Sequence, residues 1–303
     1  MLKELVEHKR RLPNVLVENK ISFAGPESEL SIYDTYQQAS RVKLKSDQLL
    51  FCGMVTGKKI MHAENDYYHS DFFPHESFIM APSQEVEIDF PTADLNNPTT
   101  CLAIEISKER VNQVADKLNS SMAKQEVFGH WQYNEQLVHT HHNAETQALL
   151  SRIVEIYTEN HQDRSYMIDL AVSELTIRLL RHQSRDFILS FSGQEPDNNG
   201  LNAALNYMVK HINETLDVDH LCRLACMSRT KFFHNFKVNL GCSPIAFQQQ
   251  IRLKQAAMLI KSGLQITHVC FELGFSSTSH FSRSFKLFHG LSPSQYKARS
   301  DQK

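Results

Sequence analysis

No apolar run in this sequence of 303 residues approaches the ~18–20 residues of a membrane-spanning helix. The first residues, MLKELVEHKRRLPN, are charged where a signal peptide needs an apolar core, which argues against export. None of the six cysteines forms a CxxC pair, and a chain of this length does not need disulfides. Cys222 and Cys226, four residues apart, are interpreted as residues of a core helix. We therefore expect a cytoplasmic protein with reduced thiols and no membrane contact.

The motifs of several enzyme classes are also missing. There is no Gly-rich phosphate loop, no GxSxG motif and no nucleophile–base set. His62, His69 and His75 fall in a β-rich region without an HxH motif followed by Glu. The segment HTHHN at 139–143 is expected to introduce a helix, and it lacks a matching carboxylate. We therefore expect no enzymatic activity, no metal site and no cofactor.

Charged residues are unevenly distributed along the chain. Residues 201–303 carry 13 Lys and Arg against 5 Asp and Glu, whereas residues 1–200 carry 19 against 29. The overall formal net charge of −2 hides this difference. A basic third on an acidic body predicts that this third alone meets a polyanion. A solvated basic face is the alternative that charge leaves open.

Residues 20–106 consist of short apolar runs separated by Gly, Pro, Asn, Asp and Ser. This pattern is typical of an all-β sandwich or barrel. The predicted strands are LSIYDTYQQ, QLLFCGMVTG, KKIMHAEN, SFIMAP, EVEIDF and TTCLAIEI.

Helical periodicity replaces this pattern after residue 106. Ser107 is expected to cap a helix over Lys108–Leu118, and further helices are predicted over 144–160 and 165–186. Their apolar stripes could lie on the barrel, on each other or on a second subunit.

A polar segment, SFSGQEPDNNG at Ser190–Gly200, separates these helices from the basic region. It has little to bury and coincides with the change in charge. We therefore predict a linker over 187–200, between an N-terminal domain over 1–186 and a C-terminal domain over 201–303.

The last hundred residues contain an internal repeat with an offset of 49 residues. FKVNLGCSPIAF, from Phe236, aligns with FKLFHGLSPSQY, from Phe285, and Ala225 aligns with Gly274. Each copy reads as an apolar helix, a short turn, a Ser-capped helix and a Gly-x-Ser-Pro turn. Ser accepts a backbone N–H at a helix start, and Pro is tolerated at the first helical position. Two such helices form a helix-turn-helix, whose second helix can enter a major groove.

A single helix is predicted to link the two copies, over residues 244–262. Its 19 residues at ~1.5 Å rise span roughly 28 Å. Major-groove entries on one face of DNA are ~34 Å apart, so a rigid helix of this length would hold two reading helices about one turn apart. The residues expected to face inward are Ile245, Ile251, Ala256, Leu259 and Ile260.

The motifs in this region resemble one bacterial family. LCRLACMSRTKFFHNFKVNLGCSPIAFQQQIRLKQAAMLI and ITHVCFELGFSSTSHFSRSFKLFHGLSPSQY look like the DNA-binding domain of the AraC/XylS transcription regulators, over about residues 205–298. The shared features are the Met-Ser helix start, both Gly-x-Ser-Pro turns, Arg-Leu-x-x-Ala from Arg252, and Gly-Phe from Gly274. GKKIMHAENDYYHSDFFPHESFIMAP is similar to the cupin-like sensor domain of one AraC-type subgroup.

Together these observations predict an α+β multidomain protein, with an N-terminal cupin-like β-barrel carrying helices and a C-terminal all-α double helix-turn-helix. The resemblance implies a cytoplasmic, homodimeric regulator that binds double-stranded DNA, responds to a small-molecule effector of unknown identity and recruits RNA polymerase as an activator. Effector binding would act by shifting a population of conformations. Two alternatives stay open: a regulator without an effector, whose barrel only dimerises or binds a protein, and an enzyme with metal chemistry in the barrel.

The first recognition helix is predicted to turn Phe232 and Phe236 towards the core, because they recur four residues apart. The resemblance places base-edge readers at Thr230, Phe233 and His234. The family more often has Arg where His234 stands, and neutral His cannot form a bidentate fork with guanine. Phe233 suits a thymine methyl, with a second core aromatic as the alternative. The predicted DNA-facing residues are Arg229, Thr230, Phe233, His234 and Lys237.

In the second copy, Phe281 and Phe285 are the expected core pair. Arg283 is predicted to make the strongest contact, with guanine or with phosphate. Lys286 and Lys237 are predicted phosphate contacts, with a plain solvated charge as the alternative for each. The predicted DNA-facing residues here are Thr278, Ser279, Ser282, Arg283 and Lys286.

Overall fold

The computed structural model describes residues 2–10, 12–63, 68–122, 130–133, 137–142, 144–194 and 200–300. By its internal contacts the chain divides into two compact units. The sheet unit comprises Met1–Val114 and Tyr133–Ile177, and the helical unit comprises Ala115–Gln132 and Arg178–Lys303.

Ten strands and eleven helices are formed by the described residues. The strands are β1 Asn19–Gly25, β2 Ser28–Thr35, β3 Ala39–Lys45, β4 Leu49–Thr56, β5 Lys59–Ala63, β6 Tyr68–Phe72, β7 Glu76–Met80, β8 Glu85–Phe90, β9 Thr99–Ile106 and β10 Val138–His141. The helices are α1 Leu2–Glu7, α2 Lys108–Ser121, α3 Ala144–Thr158, α4 Arg164–Gln194, α5 Gly200–Lys210, α6 Val218–Leu224, α7 Arg229–Leu240, α8 Pro244–Lys261, α9 Ile266–Glu272, α10 Thr278–His289 and α11 Pro293–Ser300.

Two antiparallel sheets build the sheet unit. One has the strand order β1-β2-β9-β4-β7-β10, and the other has the order β3-β8-β5-β6. Side chains from both sheets share one apolar core, which includes Cys52, Met61, Phe78, Ile88 and Ala103. A β-rich N-terminal part followed by an all-helical repeat confirms the predicted fold class.

Burial along the strands explains how the sheets are covered. In β8, Val86, Ile88 and Phe90 are buried and Glu85 is exposed, because successive side chains of a strand point to opposite faces. Strands β4 and β9 are instead buried along nearly their whole length. One face of β4 lies in the core shared by the sheets, and helix α1 contacts this strand as well.

All six predicted strands are present, although residues 64–65 of KKIMHAEN lie outside the described residues. The strands that the sequence did not predict are β1, β3, β6 and β10, and these are the four edge strands of the two sheets. The segment HTHHN introduces a helix as expected, since α3 begins at Ala144, and its first residues also belong to strand β10, which pairs with β7. Edge strands are exposed on one side, so their apolar signal is weak.

Helix boundaries follow the capping residues. The predicted cap is confirmed at Ser107, whose Oγ accepts a hydrogen bond from Arg110 N at 3.1 Å. Helix α4 continues to Gln194, so residues 187–194 of the predicted linker are helical. The segment FILSF contains no helix breaker, and Pro196 comes only two residues after Gln194. Linker residues 195–199 lie outside the described residues.

None of the helices in the described ranges is both long enough and apolar enough to cross a membrane.

Candidate nucleic-acid interface

The first helix-turn-helix copy consists of α6 and α7. Asp217 caps α6 by accepting a hydrogen bond from His220 N at 3.0 Å, and Ser228 caps α7 by accepting one from Lys231 N at 3.4 Å. Helix α7 ends at Gly241, whose φ of 73° lies in the left-handed region that favours glycine. The Ser cap and the Gly end fix the length of this recognition helix at 12 residues.

The second copy, α9 and α10, repeats this arrangement. Ser277 caps α10 by accepting a hydrogen bond from His280 N at 3.2 Å, and α10 ends at Gly290 with a φ of 75°. Each copy is followed by a helix with Pro at its start, Pro244 in α8 and Pro293 in α11. The predicted repeat of Ser caps and Gly-x-Ser-Pro turns is confirmed.

The turns of the two copies differ by one residue. In the first turn, Met227 N donates to Cys222 O at 3.0 Å, and in the second, Phe275 N donates to Cys270 O at 3.1 Å. These equivalent bonds are 48 residues apart, whereas the recognition helices begin 49 residues apart, at 229 and 278. The second turn therefore contains one additional residue.

This difference corrects the alignment of the repeat. The structure pairs Gly274 with Cys226, because both have left-handed backbones, with φ of 75° and 51°. Ala225, which the sequence aligned with Gly274, is the preceding C-cap of α6 with a φ of −76°. Cys226 is exposed and lies outside the helix, so its interpretation as a core residue is wrong, whereas Cys222 is buried.

Each copy has its own aromatic core. The side chains of Phe232 and Phe236 are fully buried in the first copy, as are those of Phe281 and Phe285 in the second. Phe236 packs edge-on against Phe247 of α8, with ring centroids 5.5 Å apart. The predicted inward orientation of both Phe pairs is confirmed.

Most predicted DNA-facing residues are accessible. In the first copy the exposed ones are Arg229, Thr230, His234 and Lys237. Phe233 is half-buried against the first core, with its ring edge-on to Phe232 at 6.2 Å. In the second copy the exposed ones are Ser279, Arg283 and Lys286, and the half-buried ones are Thr278 and Ser282.

The charged side chains among these residues form few ion pairs within the described part of the chain that would compete with DNA. Nη1 of Arg229 lies 3.4 Å from Oδ1 of Asp219, and both side chains are largely exposed. An exposed pair of this kind contributes only about 0–1 kcal/mol. Arg283 and Lys286 form no ion pair with the rest of the described chain. These groups therefore keep their donors towards solvent.

Helix α8 links the two copies and has 18 residues, about 27 Å at the usual rise. Phe247 belongs to the first core, whereas Leu253, Ala256 and Ile260 belong to the second. Ile245 is 60% exposed, so its predicted inward orientation is wrong. Pro244 and Phe247 occupy the inward face of this first turn, three residues apart, and Ile245 is rotated ~100° away. Ile251 and Leu259 are half-buried.

Arg252 fastens the linker helix to the connection between α5 and α6 and to the turn of the second copy, a role that the sequence did not predict. Its guanidinium donates hydrogen bonds to Ile212 O at 2.6 Å, Glu214 O at 2.7 Å and Gly274 O at 3.2 Å. It also lies over the ring of Phe275, 5.9 Å from the centroid. Burial lowers the pKa of Arg252. The planar guanidinium has five N–H donors, so a single arginine side chain can donate hydrogen bonds to several carbonyl oxygens at once.

The segment after α5 also touches the second copy directly. A Cβ added at Gly274 would lie 2.1 Å from Asn213 O, so only glycine fits at this approach. Gln248 Nε2 donates to Glu214 O at 3.0 Å, and Gln249 Nε2 donates to Ser284 Oγ on α10 at 3.0 Å. The connection between α5 and α6, which leads into the first copy, is therefore joined to α8 and to the second copy by a hydrogen bond and close packing.

Some histidines of the sheet unit lie against carboxylates or other histidines, but the described residues form no metal-binding set. No group of three or more His, Cys, Asp and Glu side chains there is placed to hold a metal ion. Of the predicted rival positions, His62 lies 2.9 Å from Asp89 and 3.2 Å from His69. Residue 143 of the HTHHN segment lies outside the described residues.

A β-rich domain followed by two helix-turn-helix copies on one linker helix defines a class of DNA-binding transcription regulators. The family model of the AraC-type transcriptional regulator N-terminus matches residues 26–187, and that of a helix-turn-helix domain matches residues 221–299. The first match alone covers more than half of the 303 residues. The chain belongs to the AraC family of transcriptional regulators.

The sequence identity between this chain and individual relatives is about 30%. The chain is 31% identical over 144 residues to an uncharacterized HTH-type transcriptional regulator of Haemophilus influenzae, which is 46% of this chain and 47% of the relative. It is 29% identical over 136 residues to the arabinose operon regulatory protein of Escherichia coli, covering 44% of this chain and 46% of that protein. The chain thus spans just under half the length of these curated relatives. The crystal structure of apo ToxT K231A from Vibrio cholerae is similar with a TM-score of 0.42 at 15% identity, over 91% of this chain and 98% of that one.

Proposed function

We propose that this protein binds double-stranded DNA at a specific sequence and regulates transcription. The observation that carries the proposal is the repeated recognition helix. Helices α7 and α10 have the same length, the same Ser cap and the same buried Phe pair, and α8 joins them. Both lie in the region with 13 Lys and Arg against 5 Asp and Glu, where a polyanion is favoured.

The two helices are proposed to read DNA unequally. In α7, Thr230 and His234 are exposed and offer base-edge hydrogen bonds, while the half-buried ring of Phe233 leaves one edge for a thymine methyl. In α10, exposed Arg283 supplies the bidentate fork that His234 lacks. The second copy would therefore contribute more specificity, and the first would favour A·T pairs.

Phosphate contacts complete this interface. Lys237 and Lys286 occupy equivalent positions, 49 residues apart, in the last turns of the two recognition helices. Arg229, Thr278, Ser279 and Ser282 lie nearer to the starts of these helices. Ammonium, guanidinium and hydroxyl groups near the ends of a recognition helix bind phosphate oxygens, and these contacts set the register of the helix in the groove.

The sheet unit is proposed to carry the control function. Family membership supports a homodimeric cytoplasmic activator that recruits RNA polymerase and responds to a small molecule, with no enzymatic activity of its own. The second candidate is a regulator whose sheet unit only dimerises or binds a protein partner. Thermal unfolding with candidate metabolites separates the two, because a ligand that binds the native state raises the melting temperature by mass action.

Selection from random duplex DNA with the full-length protein tests the proposal. We expect one enriched sequence with two contacted segments, and binding that weakens steeply with salt, by about 0.9 in the log–log slope for each phosphate neutralised. Equal affinity for the enriched sequence and for random DNA at every salt concentration would contradict sequence-specific recognition.

A further inference from the structure

The sheet unit contains a buried lysine. Lysine side chains are rarely fully buried in proteins unless they are paired. Lys59, on β5, is 1% exposed. Its ammonium lies 3.0 Å from the sulfur of Cys101, 3.3 Å from Oε1 of Glu18 and 4.8 Å from the ring centroid of Phe90. Burial lowers the pKa of Lys59, but the charges of Cys101 and Glu18 raise it by more, so the ammonium form is retained.

The carboxylate partner is held by an unusual backbone. Glu18 has a φ of 52°, in the left-handed region that residues other than glycine rarely adopt. Its N–H donates to Oγ1 of Thr35 at 3.0 Å, which fixes this conformation. The surrounding structure thus maintains a strained residue whose carboxylate faces a buried ammonium.

Two cysteines lie side by side next to this ammonium. Strands β4 and β9 are neighbours, and their register places Met54 opposite Cys101 and Cys52 opposite Ala103. Cys52 and Cys101 are therefore diagonal neighbours on the same face, and both belong to the shared core. A hydrogen bond from the Cys52 thiol, together with the charge of Lys59, lowers the pKa of Cys101 despite its burial. The same hydrogen bond and burial raise the pKa of Cys52.

A small cavity reaches these groups. It measures about 30 Å³ and is lined by Lys59, Cys52, Cys101, half-buried Glu18 and exposed Lys45, among others. A cavity needs only ~10–15 Å³ to hold one water molecule. Drug-sized ligands occupy pockets of roughly 300–1,000 Å³, so this cavity suits a reactant of about two heavy atoms.

We propose that Cys101 is a peroxide-reactive thiolate and that Cys52 is the thiol that resolves its oxidised form. The reactant is hydrogen peroxide, a two-electron oxidant whose size matches the cavity. Lys59 stabilises the thiolate and positions it, and Glu18 holds Lys59. The proposal goes beyond DNA binding and does not depend on it.

The chemistry takes two steps. The Cys101 thiolate attacks one peroxide oxygen, so that an S–O bond forms, the O–O bond breaks and hydroxide leaves with the electron pair; the hydroxide takes a proton from the Lys59 ammonium and becomes water. The Cys52 sulfur then attacks the sulfenic acid on Cys101, the S–S bond forms, and the S–O oxygen leaves as a second water with the Cys52 proton. Two thiol sulfurs are oxidised, one peroxide is reduced, and solvent returns a proton to Lys59.

The other cysteines provide an internal comparison. Burial raises the pKa of Cys222 and of Cys270, which disfavours their thiolates. Cys226 is the exposed thiol. Accessibility alone predicts that Cys226 oxidises first, whereas the lysine–thiolate pair predicts that Cys101 does.

The test uses full-length protein with one equivalent of hydrogen peroxide, followed by alkylation of free thiols and peptide mass spectrometry. We expect a Cys52–Cys101 disulfide to form at least about tenfold faster than Cys226 oxidises, because the thiolate beside Lys59 is the reactive form. In Cys52→Ser, dimedone added while the oxidised protein is unfolded should trap a sulfenic acid on Cys101, because the cavity is too small to admit dimedone in the folded protein. Lys59→Met should slow the oxidation of Cys101 by about tenfold.

The matched control is Lys58→Met. Lys58 is the preceding residue and pairs with Asp71 at 3.2 Å rather than with a cysteine, so its loss should leave the oxidation rate unchanged. Thermal unfolding of each variant checks that the sheets are intact. Oxidation of Cys226 before Cys101 in the unmodified protein would overturn the proposal without any variant. A sulfenic acid that persists on Cys101 without the disulfide would overturn the resolving role of Cys52.

Discussion

Arg252, on the linker helix, donates a hydrogen bond to the backbone oxygen of Gly274, in the turn of the second helix-turn-helix copy, at 3.2 Å. The same guanidinium donates hydrogen bonds to the backbone oxygens of Ile212 and Glu214, in the connection between α5 and α6. The segment that leads into the first copy is therefore held to the second copy by one side chain as well as by the linker helix. This arrangement underlies the first two predictions.

Replacement of Arg252 by Met should destabilise the helical unit. The variant keeps the aliphatic length but leaves the carbonyls of Ile212 and Glu214 without this donor. Hydrogen bonds that involve a charged group contribute ~1.5–3 kcal/mol each to stability, net of those to water, and Arg252 is only half-buried, so we expect a loss of about 2–4 kcal/mol in the free energy of unfolding. Urea unfolding followed by circular dichroism measures it. Lys261→Met, at the exposed end of the same helix, is the control and should cost less than ~0.5 kcal/mol.

Gly274→Ala should be more harmful than Gly263→Ala. Both glycines have left-handed backbones, with φ of 75° and 97°, so both variants carry the backbone cost of about 1–2 kcal/mol. Only at Gly274 would the new Cβ meet another group, Asn213 O at 2.1 Å, whereas nothing lies within 4 Å of Gly263. We expect Gly274→Ala to cost about 1–3 kcal/mol more. Equal melting temperatures would show that the contact between Asn213 and Gly274 is not maintained in solution.

The equivalence of Cys226 and Gly274 gives a stabilising prediction. Cys226 is exposed and has a φ of 51°, a conformation in which glycine has no steric penalty. Cys226→Gly should therefore raise the free energy of unfolding by up to ~1 kcal/mol. Ala225→Gly, at the residue with a φ of −76°, is the control and should lower it. Differential scanning calorimetry on both variants decides between this alignment and the one with Ala225 over Gly274.

The sequence predicted the parts of the fold whose signals are local. The central strands, the Ser caps and the buried Phe pairs all depend on periodicity and on capping chemistry within a few residues. The four missed strands are all at sheet edges, where polar sequences such as ASRVKLK in β3 acquire their structure from pairing with a neighbour. Helix α4 was underestimated because its last turns have a composition that also suits a linker.

The sequence could not predict contacts between distant segments. Arg252 was noticed as part of Arg-Leu-x-x-Ala, but its acceptors lie 22 to 40 residues away along the chain. The sequence did not reveal that the second turn is one residue longer than the first. Identical residues in the two copies align at a constant offset of 49, and this offset places Ala225 over Gly274. The buried Lys59 had no sequence signal, since its partners Glu18 and Cys101 come from other strands and loops.

Arg283 and Lys286 should differ in what their loss does to DNA binding. Arg283→Ala should cost about 1–3 kcal/mol on the selected sequence and relax the preference at one base pair, if its fork reads guanine. Lys286→Ala should weaken binding about equally on all sequences and reduce the salt slope by about 0.9, because it removes one phosphate contact. Fluorescence anisotropy with the selected duplex and a scrambled duplex, over a range of salt, measures both. Parallel losses on both duplexes for Arg283→Ala would assign it to phosphate.

The central claim is that both recognition helices contact one duplex, and hydroxyl-radical footprinting of the full-length protein on its selected sequence tests it most directly. The account predicts two protected segments on one face of the DNA, about 10–10.5 base pairs apart. Arg283→Ala should weaken protection of one segment, and His234→Ala should weaken protection of the other. A single protected segment that His234→Ala leaves unchanged would contradict the claim that the protein reads DNA with both recognition helices.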